Sequence, residues 1–361
     1  MRRAARNATS PQPINSTLNL AMTFDITIKP SDHRFECEAD ETILAGALRG
    51  GLLLPYGCRD GACASCKSRI ISGDVDYGVY QPSTLSEHEK VQGFVLPCVA
   101  KPRSALTLEC REVRKAGDIQ IRKLPSRIEK IEIVAPDVAI VSLKLPASER
   151  LQFLAGQYID ILQPEGRRRS FSLATPPHDD GFLQLHVRHM PNGAFTEHLF
   201  ADMPTKEIIR IEGPHGAFYL REQSAKPMIF VAGGTGFAPI KSVLEHAFHQ
   251  GVTRPMVLYW GARAKVDLYL PDLPRAWEAA HPNFKYIPVL SEPAPDDAWT
   301  GRTGLVHQAV LDDYADLSGH QVYVCGAPLM VDAARRDFTQ QRGLPPDEFF
   351  ADSFVSAVKP T

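Results

Sequence analysis

The sequence predicts a multidomain protein in three parts: a small α+β domain, then an antiparallel β-barrel, then an α/β domain with a parallel sheet. Three observations carry that prediction. Three closely spaced cysteines, with a fourth further on, fall within residues 23–112 among segments that alternate apolar and polar residues. Residues 124–224 hold six strand-like segments at short intervals with one helical interruption, as a barrel does. Residues 225–361 repeat strand, glycine turn and helix, the rhythm of parallel βα units. A mixed linker, 113–123, separates the first two parts.

Composition bounds the rest. The 361 residues are 44% hydrophobic and 23% charged, an ordinary globular mixture with room for two or three domains. A net charge of −2 gives no electrostatic reason for nucleic-acid binding. No apolar run reaches membrane-spanning length, so membrane insertion is not expected. Of the seven cysteines, the three outside the grouped set, Cys37, Cys110 and Cys325, are dispersed, which suits a reducing cytoplasm better than a disulfide framework. Residues 1–22 carry Arg2, Arg3 and Arg6 with no acid, and read as a disordered tail or a misplaced start.

In the first part, Phe24, Ile26 and Ile28 mark a strand and Arg34–Glu38 a second, with a turn at Pro30-Ser31-Asp32. Asp40 is placed to cap a helix from Thr42 to Leu48 that Gly50-Gly51 ends. Then comes Tyr56-Gly-Cys58-Arg-Asp-Gly-Ala-Cys63-Ala-Ser-Cys66-Lys67, with Cys98 further on. Small residues between the cysteines let the main chain wrap closely and aim N–H groups at sulfur. Structural zinc is the alternative for any such set, but zinc sites usually pair short C-x2-C knuckles. Cys110 falls on an alternating strand, 105–110, and reads as a packed core thiol, which leaves Cys98 as the fourth ligand. The C-x4-C-x2-C…C spacing resembles that of plant-type ferredoxins over residues 23–112. The resemblance implies a β-grasp ferredoxin-like fold and a [2Fe–2S] cluster on Cys58, Cys63, Cys66 and Cys98, near the surface at Arg59–Ser65.

The barrel segments are 127–133, 138–145, 158–162, 170–174, 183–188 and 208–212. Among them lies Arg167-Arg-Arg169-Ser-Phe171-Ser172. An isolated basic run is commonly a solvated strand end. Here a cation, an aromatic and a hydroxyl follow in order, suited to a diphosphate, a flat ring and the ring's edge. The run resembles the Arg-x-Tyr-Ser motif of the ferredoxin–NADP reductase superfamily. That implies FAD, with Arg169 on its phosphates, Phe171 stacked on the isoalloxazine and Ser172 near N5. Phenylalanine in place of tyrosine keeps the stacking and loses a phenol hydrogen bond. His186, Arg188, Gly193 and Thr196 form a second phosphate element, a strand turning through glycine into a helix start. An ordinary helix cap is the other reading of Thr196.

In the third part, the apolar strand Met228–Ala232 runs into Gly233-Gly234-Thr235-Gly236 and a helix to about His249. Glycines there let backbone approach a pyrophosphate at a helix N-terminus. Further strands follow at 256–261, 285–290 and 321–326. Cys325-Gly326-Ala-Pro328 resembles the superfamily's strand-end C-G-x-P motif, which borders the nicotinamide–flavin contact; a buried strand cysteine is the alternative. Phe350 and Asp352 lie in a segment resembling C-termini that reach back to the flavin. NADH is favoured, while Arg263 and Lys265 keep NADPH open.

The order of parts resembles the reductase components of multi-component oxygenases and, over its full length, still more the CDP-6-deoxy-3,4-glucoseen reductases. That implies an oxidoreductase moving electrons from NADH through FAD and the cluster to a protein acceptor, an oxygenase or dehydrase component. Ser172, Thr235 and Cys325 border the hydride step. Three rivals remain: an iron–sulfur redox sensor, a zinc-stabilised interaction module, and a flavin reductase with its own small acceptor.

Overall fold

Alternation in the strand Thr23–Lys29 puts Ile26 and Ile28 wholly inside. This strand pairs antiparallel with His33–Glu38 and parallel with Leu106–Glu109, in a sheet continued by Ser68–Ser72 and Phe94–Val95. The helix Ile43–Arg49 buries Ile43, Leu44 and Ala47 in the same core, giving the β-grasp arrangement. Thr42, not the expected Asp40, caps it by accepting the Ala45 N–H at 3.2 Å, because the first buried helical residue is Ile43. The computed structural model describes residues 22–110, 113–115, 119–179 and 181–354. Residues 1–21, most of the stretch read as a tail or misplaced start, lie outside them. Within 113–123, Arg114–Lys115 pairs with Leu52–Leu53 of the first domain.

The second part is an antiparallel six-stranded barrel. Its strands run, in spatial order, Arg168–Ser172, Tyr158–Leu162, Ile208–His215, Arg122–Ala135, Val138–Lys144 and Leu183–Arg188. The bridge between Leu173 and Leu185 joins the first to the last. Ile128, Leu143, Ile159, Leu185 and Ile211 fill the inside. Its one helix, Ala194–Ala201, follows Gly193 as expected.

Parallel pairing throughout defines the third part, ordered Arg302–Thr303, Phe284–Leu290, Met256–Ala262, Met228–Gly233, Gln321–Gly326, Phe349–Ser353. Met228–Gly233 comes first in sequence and lies in the middle, so the chain leaves it to one side and later returns on the other. Such a reversal opens a crevice at the carboxyl ends of the two central strands. Gly233 and Gly326 stand at those two ends. Among the described residues no helix is long and apolar enough to cross a membrane.

The parts interlock. Lys241 Nζ donates to the Ala174 carbonyl at 3.1 Å and Ser242 Oγ to that of Thr175 at 2.7 Å, tying the third part's first helix, Phe237–His249, to the barrel rim. On the other side, Tyr158 Oη donates to the Gly57 carbonyl at 2.7 Å, and the Ala217 N–H to the Tyr56 carbonyl at 3.0 Å. The Tyr158 bond is buried, so Tyr158→Phe leaves a carbonyl without a partner. The expected cost is about 1–3 kcal/mol of the first domain's stability. A thermal unfolding curve of the loaded protein indistinguishable from wild type would show that this bond carries no such load.

Candidate functional site

The cysteine loop turns on residues that take left-handed backbone angles: Arg59 (φ 65°), Gly61 (φ 69°) and Ala64 (φ 56°). At Gly61 a side chain is impossible, since a Cβ would stand 2.7 Å from that of Tyr80. These turns aim N–H groups at sulfur. Asp60 and Ala62 each donate to Cys58 Sγ at 3.4 Å, and Cys58 donates to Cys63 Sγ at 3.3 Å. The thiols stand in two touching pairs, Cys58 with Cys63 and Cys66 with Cys98. Two pairs of thiols with N–H donors around them fit a cluster of two irons, each iron taking one pair. Cys110 instead continues the central strand, Leu106–Glu109, its N–H donating to the Lys29 carbonyl at 2.9 Å. Cys37 packs in the core with its thiol toward the Thr42 carbonyl. The loop was expected near the surface at Arg59–Ser65. In that span Asp60 is exposed, Arg59, Ala64 and Ser65 are half-buried, and Gly61, Ala62 and Cys63 are buried, Gly61 against Tyr80 of the same domain.

The strand Arg168–Ser172 divides its residues by face. Arg169 and Phe171 share one: among the described residues Arg169 Nη1 donates to the neighbouring Arg168 carbonyl, and Phe171 is half-buried with its ring 5.3 Å from that of Phe195. A cation and an aromatic face with so little protein partnership fit the phosphates and flat ring of a flavin. Arg168 and Ser170 point the other way, to Asp160. The second phosphate element is more self-contained than expected. Thr196 Oγ1 accepts the Met190 N–H at 3.1 Å and lies 3.0 Å from the Met190 carbonyl. His186 is buried against Tyr269, Nδ1 to Oη 2.9 Å, and burial, then the charge of Lys241, pushes its pKa down to about 3. Arg188 reaches toward the glycine turn: a Cβ on Gly234 would lie 3.2 Å from both of its terminal nitrogens. Its Nε is buried without a hydrogen-bond partner, 3.2 Å from an Asp137 carboxylate oxygen.

At the crevice the two central strands end back to back. A Cβ on Gly236 would fall 2.1 Å from the Cys325 carbonyl, and one on Gly326 (φ 150°) would fall 3.1 Å from Gly233 Cα. Only bare backbone fits there, which suits a pyrophosphate and a nicotinamide ring lying on it. Thr235 is buried within the turn. Cys325 is fully buried, and burial, then Asp352, pushes its thiol well above the ordinary range. Asp352 pairs in register with Cys325 across the last two strands. Phe350, on the same face, packs 4.9 Å from Tyr323 and under the Arg221 guanidinium at 4.2 Å, inside the core.

These pieces converge. Ser172 Oγ lies 3.4 Å from Asp352 Oδ2. Burial, followed by the charge of Cys63, pushes the Asp352 carboxyl up to about 7. One buried carboxyl is therefore within the field of a cysteine from the first part, beside a hydroxyl of the second and a thiol of the third. What the motifs did not signal is a charged group at the join of the first two parts: Arg59, Asp160, Arg168, Glu212 and His215. The alternation that singles out Arg169 also puts Arg168 on the opposite face, but nothing local names Asp160 as its partner there.

Three families match in series: a "2Fe-2S iron-sulfur cluster binding domain" over residues 26–103, an "oxidoreductase FAD-binding domain" over 125–219, and an "oxidoreductase NAD-binding domain" over 230–336. The chain is 41% identical over 334 residues to a CDP-6-deoxy-L-threo-D-glycero-4-hexulose-3-dehydrase reductase of Yersinia pseudotuberculosis, covering 92% of this chain and 99% of that one. It is 35% identical to a phenol hydroxylase P5 protein of Acinetobacter pittii, covering 93% and 96%. Among solved structures it is similar to the cytochrome P450 reductase GcoB of Amycolatopsis, with a TM-score of 0.76, 32% identity, and coverage of 93% and 100%.

Replacing Cys58, Cys63, Cys66 or Cys98 by serine is expected to strip nearly all iron and labile sulfide from the purified protein. Cys37→Ser and Cys110→Ser are expected to keep both. Retention in Cys98→Ser with loss in Cys110→Ser would move the fourth ligand to Cys110.

Proposed function

Because this chain belongs to the family of iron–sulfur flavoprotein reductases, we propose that it delivers electrons to a dehydrase component acting on a CDP-linked deoxyhexulose. It is an NAD(P)H-dependent FAD/[2Fe–2S] electron-transfer oxidoreductase. When bound, the nicotinamide supplies a hydride, the flavin takes two electrons and releases them singly, and the cluster carries one at a time. The observation that carries the site assignment is the position of Asp352, beside Ser172 and Cys325 and within the field of Cys63.

Each residue has a task in this reading. Phe171 covers the flavin ring and Arg169 neutralises its phosphates. Ser172 offers its hydroxyl at the ring's reacting edge, where Asp352 lies 3.4 Å from it and holds or releases a proton. Thr235 and the glycines 233, 234, 236 and 326 seat the nicotinamide nucleotide by close backbone approach, with Arg188 as the cation beside Gly234. Cys325 leaves room for two stacked rings while its burial excludes water. His186 and Phe350 hold the walls of the site, and Gly193 and Thr196 shape the turn before the helix. Cys58, Cys63, Cys66 and Cys98 hold the cluster. NADH is the favoured donor, and with seven free thiols the proposed compartment is the cytoplasm.

The dehydrase partner is preferred because the relative with that name is matched more closely than the hydroxylase component. An oxygenase partner is the second reading, favoured by the full-length match to the hydroxylase protein and by the P450 reductase fold. Reconstitution with each kind of partner and NADH separates them: turnover with the oxygenase and none with the dehydrase would reverse the order. Within the chain, Cys325→Ala is expected to keep flavin and cluster while slowing flavin bleaching by NADH about tenfold or more. Ferricyanide and cytochrome c reduction should fall together. Bleaching at the wild-type rate would remove Cys325 from the hydride site.

A further inference from the structure

We infer that Arg59 is a positioning residue for flavin-to-cluster electron transfer, anchoring the cysteine loop to the carboxylate, Asp160, that also holds the flavin strand. The inference rests on the site assignment above. Arg59 directly follows Cys58 and leaves the loop in a left-handed conformation (φ 65°), which turns its side chain across the domain boundary. Its guanidinium pairs with Asp160, whose side chain is 0% exposed, and lies 3.4 Å from His215 Nδ1. The Tyr158 ring lies 5.9 Å from the same guanidinium.

Asp160 is shared. Ser170 Oγ donates to its other oxygen at 2.7 Å, and Arg168 Nη1 lies 3.4 Å away while also pairing with Glu212. Ser170 and Arg168 are on the strand whose opposite face carries Arg169 and Phe171. One buried carboxylate therefore fixes the loop that accepts electrons and the strand that holds their donor. Transfer between fixed groups falls steeply with separation, so this common anchor sets the rate.

The group is balanced. Burial, then the charge of Arg59, holds His215 down to about 4, so it is neutral at ordinary pH. Arg59 and Arg168 then face Asp160 and Glu212, with Lys123 at the rim 3.4 Å from Glu212. Asp160, Glu212 and His215 place ligand atoms within 4.8 Å of one another, as at a metal site. The two guanidinium groups already supply the positive charge there.

The step concerned moves one electron from reduced FAD to the oxidised cluster, NADH having supplied the pair. The test uses the full-length loaded protein, mixed anaerobically with NADH, with flavin and cluster followed separately by absorbance and electron paramagnetic resonance. Arg59→Ala is expected to leave flavin reduction by NADH unchanged and, like Asp160→Asn, to slow cluster reduction about tenfold or more. Arg59→Lys, which keeps the charge, should restore most of the rate. A redox titration separates position from driving force. Asp160→Asn removes a negative charge beside the loop, so the cluster's potential should rise and transfer should quicken if driving force alone mattered. A raised potential with slower transfer supports the anchor, and faster amide exchange at residues 57–61 should accompany it. Cluster reduction at the wild-type rate in Asp160→Asn, with both cofactors bound, overturns it. If Asp160→Asn sheds a cofactor, Arg59→Gln decides by the same rate criterion. A wild-type protein whose flavin is bleached by NADH but whose cluster never is would instead overturn the functional reading.

Discussion

A carboxylic acid that belongs to the last strand but lies among groups from all three domains is the constraint around which this chain is arranged. Asp352 pairs in register with Cys325, approaches Ser172 of the barrel, and feels the charge of Cys63 in the cysteine loop. Burying a carboxyl costs free energy unless it is bonded or protonated, and here its raised pKa reflects that cost. Retaining it at the meeting point requires three separate sheets to be held in fixed relation. The ties of Lys241 and Ser242 to the barrel rim, and of Tyr158 and Arg59 across the other boundary, supply that relation.

The architecture was largely legible in the sequence because each part announces itself by a different local rule. Alternation around Ile26 and Ile28 gave the first strand, and the unbroken apolar run Met228–Ala232 gave a strand buried on both faces. The cysteine spacing carried the cluster because ligation demands specific residues at specific intervals. Glycines were informative where backbone meets backbone, as at Gly236 against the Cys325 carbonyl, since no other residue fits.

Contacts made across domain boundaries were less legible. Arg59 and Asp160 belong to no motif as a pair, and nothing local links residues so far apart. Thr196 had two readings, a hydroxyl offered to phosphate or an ordinary helix cap, and its motif could not show that the loop before it, at Met190, engages that hydroxyl. Asp40 and Thr42 both had the chemistry of a helix cap, and the position of the first buried residue, Ile43, decided between them.

The cysteine loop is braced on both flanks. On one, the Gly57 and Tyr56 carbonyls are bonded to the barrel; on the other, Thr84 Oγ1 donates to the Gly61 carbonyl at 2.8 Å, and Gly61 lies against Tyr80. Its N–H dipoles are therefore oriented before any charge arrives. A cluster held by Cys58, Cys63, Cys66 and Cys98 in such a cage would find its solvation already in place and would have little surrounding matter to rearrange on taking up an electron. The same rigidity acts on departure, so the loop favours rapid relay in both directions over storage of charge.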